Sequence, residues 1–213
     1  MAASAVVTFS LNILSAIVAL LTSYFAYRFS RLVDNSVLKA ISVGFMLLGI
    51  GLIVDAGTSL VSGKTLVESF AGRELILLAS FTYLTVQMVA YVVIAVGYAF
   101  SAYGKRIGNV APVVLAGAAA LGLYRFSLVS YFVTFILLAF VVFQGFLIHS
   151  RGRTRFSSIV LLGFSLILVA HFVLLVSVLT LGSGLFLIGT GVQFLGFVSL
   201  LAFVVRSEAV GAG

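Results

Sequence analysis

Two glutamines stand in the middle of apolar runs: Gln87 in Val86-Gln87-Met88-Val89-Ala90-Tyr91-Val92, and Gln193 in Val192-Gln193-Phe194-Leu195-Gly196-Phe197-Val198. An amide carries two donors and an acceptor, and at bilayer depth it is costly unless these find partners. On a helix of 3.6 residues per turn, Ser80, Tyr83, Gln87 and Tyr91 fall in one stripe. Gly189, Gln193, Gly196 and Ser199 cover about a third of the circumference of another helix. Stripes of polar and small residues face other helices or a cavity, not lipid. Two chemistries are open. Gln87, Gln193, Tyr83, Tyr91 and Ser199 can bind a solute at the midplane. Alternatively, each amide is helix glue, bonded to a neighbouring carbonyl or hydroxyl and stabilising by ~0.6–1.7 kcal/mol.

A second group is titratable. Asp55 is the one acid well inside an apolar run, and His171 and Asn12 fall at similar depth in the outer half. If their helices face each other, Asp55 and His171 form a proton relay or cation site together with Asn12. The bland alternative is a carboxyl that reaches the interface and a neutral, hydrogen-bonded core histidine. His149 and His171 are about 20 Å apart along their helices, too far to bracket one haem. The sequence has no cysteine, so thiol catalysis, disulfides and thiolate metal sites are excluded. No P-loop and no nucleophile with an adjacent base is present. The expectation is a non-enzyme with no catalytic residue, no metal and no cofactor. Arg151, Arg153 and Arg155 are candidates for contact with lipid headgroups or an acidic partner, and equally for topology signals.

These residues must be positioned by membrane helices. Of 213 residues, 63% are hydrophobic and 8% charged, which no soluble domain could cover without very large exposed apolar patches. A bilayer core of ~30 Å takes roughly 20 apolar helical residues. Seven stretches qualify: TM1 about 5–27, TM2 38–61, TM3 74–101, TM4 107–123, TM5 126–148, TM6 156–181 and TM7 185–205. The fold expected is an all-α integral membrane protein forming a single seven-helix domain, residues 1–213. The net charge of +7 comes from basic residues at helix ends and is no nucleic-acid signal. Nine Lys and Arg (Arg28, Arg31, Lys39, Lys105, Arg106, Arg151, Arg153, Arg155, Arg206) fall on one side of this topology. Only Lys64, Arg73 and Arg125 fall on the other. The N-terminus is therefore expected outside and the C-terminus in the cytoplasm, as a multi-pass protein of the plasma membrane.

The runs around the two glutamines also align. Val86, Gln87 and Val92 recur as Val192, Gln193 and Val198, and Gly44-Phe45 of TM2 matches Gly163-Phe164 of TM6. The expectation is a 3+1+3 parallel repeat with TM4 as linker helix. Such a plan resembles that of SWEET-type sugar facilitators and PQ-loop transporters, and more loosely that of microbial rhodopsins. The resemblance is one of architecture. The Pro-Gln pair of the PQ-loop family is missing, and no lysine lies inside the last helix to form a retinal Schiff base, so no functional residue carries over. Three classes of function follow. The first is a transporter or facilitator with a polar site between two three-helix halves. The second is a non-catalytic subunit of a larger membrane complex, of respiratory, secretion or pilus type. The third is a seven-helix receptor-like sensor. The partners expected are the lipid bilayer and other membrane subunits or copies of the same chain, with no nucleic acid.

Overall fold

The computed structural model describes residues 2–33, 35–62, 70–103, 126–151, 155–180 and 182–211. Among them are six α-helices and no strand: α1 Ala2–Val33, α2 Ser36–Ser62, α3 Phe70–Tyr103, α4 Phe126–Arg151, α5 Arg155–Thr180 and α6 Ser183–Gly211. Each contains a stretch of between 22 and 27 residues apolar enough to cross a bilayer. The chain is a multi-pass membrane protein. The expected linker helix, 107–123, lies outside the described residues. The six helices match the other six expected spans, and all but α5 run longer, α1 to Val33 and α6 to Gly211. Hydropathy reads only the length needed for hydrocarbon, whereas helical hydrogen bonding continues through the headgroup layer.

Local chemistry sets the helix ends. Asn35 caps α2: its Oδ1 accepts from the Val37 amide at 2.9 Å and the Leu38 amide at 3.4 Å, satisfying donors that have no partner inside the helix. Between α5 and α6 the Gly182 amide donates to the Ser177 carbonyl at 3.1 Å, and the Ser177 hydroxyl donates to the Gly182 carbonyl at 2.9 Å. The last helix begins directly after Gly182, at Ser183.

The helices close into a ring in chain order. Each packs on the next, and α6 packs back on α1. Their directions follow from the side chains that meet at each level. Asn12, Asp55, Tyr83, Tyr131, Leu174 and Gln193 share one level. Further along are the edge-on pairs Phe45–Phe197, with centroids 5.5 Å apart, and Tyr98–Phe164, at 5.9 Å. The Ser23–Ser42 bonds and the approach of Gly145 to Leu161 place α1 and α4 in the same scheme; hence α1, α3, α4 and α6 run one way, and α2 and α5 the other. The interior at the second level is filled by aromatic and branched residues, with Phe45, Phe164, Phe197, Leu48, Ile94 and Leu200 fully buried. Every helix also shows large apolar residues outward, such as Leu14, Ile50, Leu78, Phe143, Phe172 and Leu195. A helix apolar on both faces is what a membrane core helix requires.

Close approach of α2 to α3 and of α5 to α6 relies on glycine. A Cβ at Gly44 of α2 would sit 2.5 Å from Ile94 Cγ1 and 3.0 Å from the Ala90 carbonyl of α3. A Cβ at Gly163 of α5 would sit 2.6 Å from Leu200 Cγ and 3.3 Å from the Gly196 carbonyl of α6. Lipid offers no hydrophobic drive between helices, so this contact of backbone on backbone supplies van der Waals packing. Between α1 and α2, Ser23 and Ser42 exchange bonds. The Ser23 hydroxyl donates to the Ser42 carbonyl at 2.8 Å, and the Ser42 hydroxyl to the Ser23 carbonyl at 2.9 Å.

Gly44→Val and Gly163→Val are expected to destabilise the protein by ~1–3 kcal/mol each through overpacking, read as a lowered unfolding midpoint in detergent. Gly57→Ala, where a Cβ meets nothing within 4 Å, is expected to leave the midpoint unchanged or slightly raised.

Candidate functional site

At the level where α1, α3, α4 and α6 begin their crossing, the ring is not filled. It encloses a cavity of about 270 Å³ to which all six helices contribute. The polar wall comes from Asn12 of α1, Asp55 of α2, Ser80 and Tyr83 of α3, Tyr131 of α4, and Thr190 and Gln193 of α6. Leu84, Leu174, Val178 and Phe186 supply the apolar part.

Two side chains are held in place by their neighbours. Asn12, buried in α1, donates from Nδ2 to Asp55 Oδ2 at 2.7 Å, which aims the carboxyl. The Asp55 carbonyl accepts from the Thr58 hydroxyl at 2.7 Å. Gln193 is only 4% exposed, and its Nε2 has no hydrogen-bond partner. The Tyr91 hydroxyl and Ser130 Oγ are likewise buried and unpartnered. An orphaned donor in an apolar surrounding is unfavourable by about 1–3 kcal/mol.

Below the cavity lies a closed polar unit. Gln87 Nε2 is 2.8 Å from His171 Nε2, and His171 Nδ1 is 2.9 Å from the Ile167 carbonyl. A carbonyl only accepts, so Nδ1 carries the proton. Nε2 of the neutral ring then accepts from the Gln87 amide, and the two contacts together assign the tautomer. The Tyr91 ring stands edge-on to the imidazole at 5.3 Å and 87°, with Tyr131 at 6.5 Å. Both ring nitrogens are engaged.

The residues expected to act together divide into these two groups. Gln193 and Tyr83 line the cavity; Gln87 and Tyr91 sit beneath it against His171. Ser199 is not part of the lining, and its hydroxyl donates to the Leu195 carbonyl of its own helix at 2.9 Å. At 100° per residue it lies about 120° around the helix from Gln193, so a stripe a third of the circumference wide separates them. The Asp55–His171 pair is not formed. Asp55 meets Asn12, while His171, one turn deeper, meets Gln87. Of the arginines, Arg153 lies outside the described residues, and Arg151 and Arg155 are the terminal residues of α4 and α5. Tyr131, Thr190 and Phe186 were not anticipated in the wall. The spacing of Ser130, Tyr131 and Thr134, all buried on α4, is the signal that marks that face as interior.

A mutant cycle on Gln87→Leu and His171→Leu tests the closed pair. Each single change is expected to lower stability by ~1–3 kcal/mol, because it leaves a buried polar partner alone. The double change should cost less than the sum by ~0.6–1.7 kcal/mol; strict additivity in unfolding measurements would mean the pair is not coupled. No family model, curated protein or solved structure matches this chain, so the cavity and its wall stand on their own geometry.

Proposed function

We propose that this chain is a small membrane transporter or facilitator, and that a small polar solute occupies the cavity at the centre of the helix ring. The observation that carries this is the wall itself: every described helix sends at least one side chain into one cavity, where seven polar side chains interrupt an otherwise apolar lining. Helix glue calls for paired groups and filled space. Here an open volume lies beside a carboxyl and an amide whose nitrogen is unpartnered. No chemical conversion is assigned to the site.

The proposal includes seven crossings and a duplicated chain. In its favour, α3 and α4 run in the same direction, and the sequence between them contains the apolar stretch expected as a further span. The triplets α1–α3 and α4–α6 share the same sequence of directions. Gly44 against Ala90 and Ile94 has its counterpart in Gly163 against Gly196 and Leu200, which are the positions paired by aligning the two glutamines. Phe45 and Phe164, paired by matching Gly44-Phe45 with Gly163-Phe164, each meet an aromatic ring of the opposite half. Parallel-repeat transporters hold their solute between such halves. Arg28, Arg31, Lys39 and Arg206 are exposed at the end away from the cavity. The positive-inside rule puts that end in the cytoplasm and the cavity in the outer half of the plasma membrane.

Liposomes carrying the protein are expected to swell faster than empty ones in an isosmotic solution of at least one of glycerol, glycine, urea and ethanolamine hydrochloride. Val178→Phe, which fills the cavity, should abolish the difference. Swelling equal to empty liposomes with every solute would end the transporter reading. Orientation is read separately, aided by the absence of native cysteine. Gly184→Cys should react with an impermeant maleimide on intact cells, and Arg206→Cys only after permeabilisation; the reverse pattern would invert the topology.

A further inference from the structure

We infer that His171, Gln87 and Tyr91 form a proton-binding site beneath the cavity, with two arrangements that differ in which way the Gln87 amide is turned. In the arrangement observed, His171 is neutral. Its Nδ1 donates to the Ile167 carbonyl at 2.9 Å, and its Nε2 accepts from Gln87 Nε2 at 2.8 Å. The Tyr91 hydroxyl lies beside the Gln87 side chain but has no hydrogen-bond partner, although Tyr91 is completely buried. Gln87 thus stands between two polar groups and bonds only one of them.

A proton taken from water and added at His171 Nε2 sets two donors against each other, and the contact survives only if the amide turns over. Gln87 Oε1 then accepts from Nε2–H, and Nδ1 keeps its bond to Ile167. The turned amide bonds Tyr91 with whichever end it presents, because a hydroxyl both donates and accepts. The neutral set has two bonds and an orphaned hydroxyl. The protonated set has three bonds, and those made by the imidazolium are roughly twice as strong as neutral ones. That gain offsets part of the cost of a charge inside the membrane. The groups facing His171 are few. Tyr91 of α3 and Tyr131 of α4 pack on its ring. Tyr83 of α3 and Asp55 of α2 stand above it in the cavity wall, Asp55 bonded to Asn12. No titratable side chain occurs on α1 between Val6 and Ser23 or on α6 between Gly184 and Val205, and α5 has no other between Ser158 and Thr180. Tyr131 touches both the imidazole and the cavity. The proton therefore enters from the cavity side, and the charge it leaves lies against a residue of the wall.

The test reads the site without any transport. The chain has two histidines, so His149→Gln leaves His171 as the sole signal of isotope-labelled histidine in nitrogen NMR of the full-length protein in liposomes. At pH ~8 one protonated and one bare ring nitrogen are expected, and on acidification toward pH ~4, with helix content unchanged, two protonated ones. Tyr91→Phe removes a hydroxyl that only the protonated arrangement bonds. It is expected to make His171 about tenfold harder to protonate, a midpoint about one pH unit lower. Gln87→Met separates the readings by sign. If the glutamine serves only the neutral ring as a donor, its loss raises the midpoint; if it turns to accept from the imidazolium, its loss lowers it. A bare nitrogen that persists to the lowest pH at which the helices survive overturns the inference. So does an unchanged midpoint in folded Tyr91→Phe, or a raised one in Gln87→Met; should either variant not fold, the other decides. Liposome swelling bears on the cavity alone. A protein that titrates as described but swells no liposome keeps the proton site and loses the transporter reading.

Discussion

A polar group inside hydrocarbon has no water to bond with, and the architecture of this protein follows from that constraint. It forces the backbone into helices. It also explains why the side-chain polar groups of the interior occur as matched sets: Asn12 with Asp55, Ser23 with Ser42, Gln87 with His171 and the Ile167 carbonyl. Among the described residues three buried side-chain atoms have no partner, the Tyr91 hydroxyl, Ser130 Oγ and Gln193 Nε2, and of the three residues Gln193 is the one that lines the cavity.

Packing is a second consequence of the same solvent. With apolar side chains on every face, burial of hydrocarbon does not tell one helix face from another. The choice is made by shape, through glycines that admit a neighbour's backbone and through rings that meet edge to face. Gly44 of α2 and Gly163 of α5 each receive a carbonyl and a branched side chain from the helix that follows. The aromatic residues next to them, Phe45 and Phe164, reach across the ring.

The membrane class and six helices were legible in the sequence, because about twenty apolar residues in a row have one physical explanation. So was the interior position of Asp55, His171, Gln87 and Gln193, since a polar side chain in such a run cannot face lipid. Partner choice was not legible. Asp55 and His171 are a chemically sensible pair on paper, but a single helical turn of depth sends one to Asn12 and the other to Gln87, and depth to that precision depends on tilt and packing. The serine exchange between α1 and α2 was invisible for another reason: serine is common in membrane helices, and each hydroxyl here bonds a backbone carbonyl, which leaves no pattern in side-chain types. Ser199 shows the limit of a stripe: sharing a third of a helix surface does not put two residues into the same pocket.

The first two helices are joined by side-chain bonds at two heights, Asn12 to Asp55 and Ser23 to Ser42. Eleven residues of helix separate Asn12 from Ser23, a distance of about 16 Å. One such link would leave two rods free to swivel about it. Two links a dozen or more ångströms apart block both swivelling and sliding, because a slip by one turn would strand four polar side chains in oil at once. The pair α1–α2 is therefore a splint, a stiff plate along one side of the ring, and relative motion of the helices has to be taken up elsewhere around the circle.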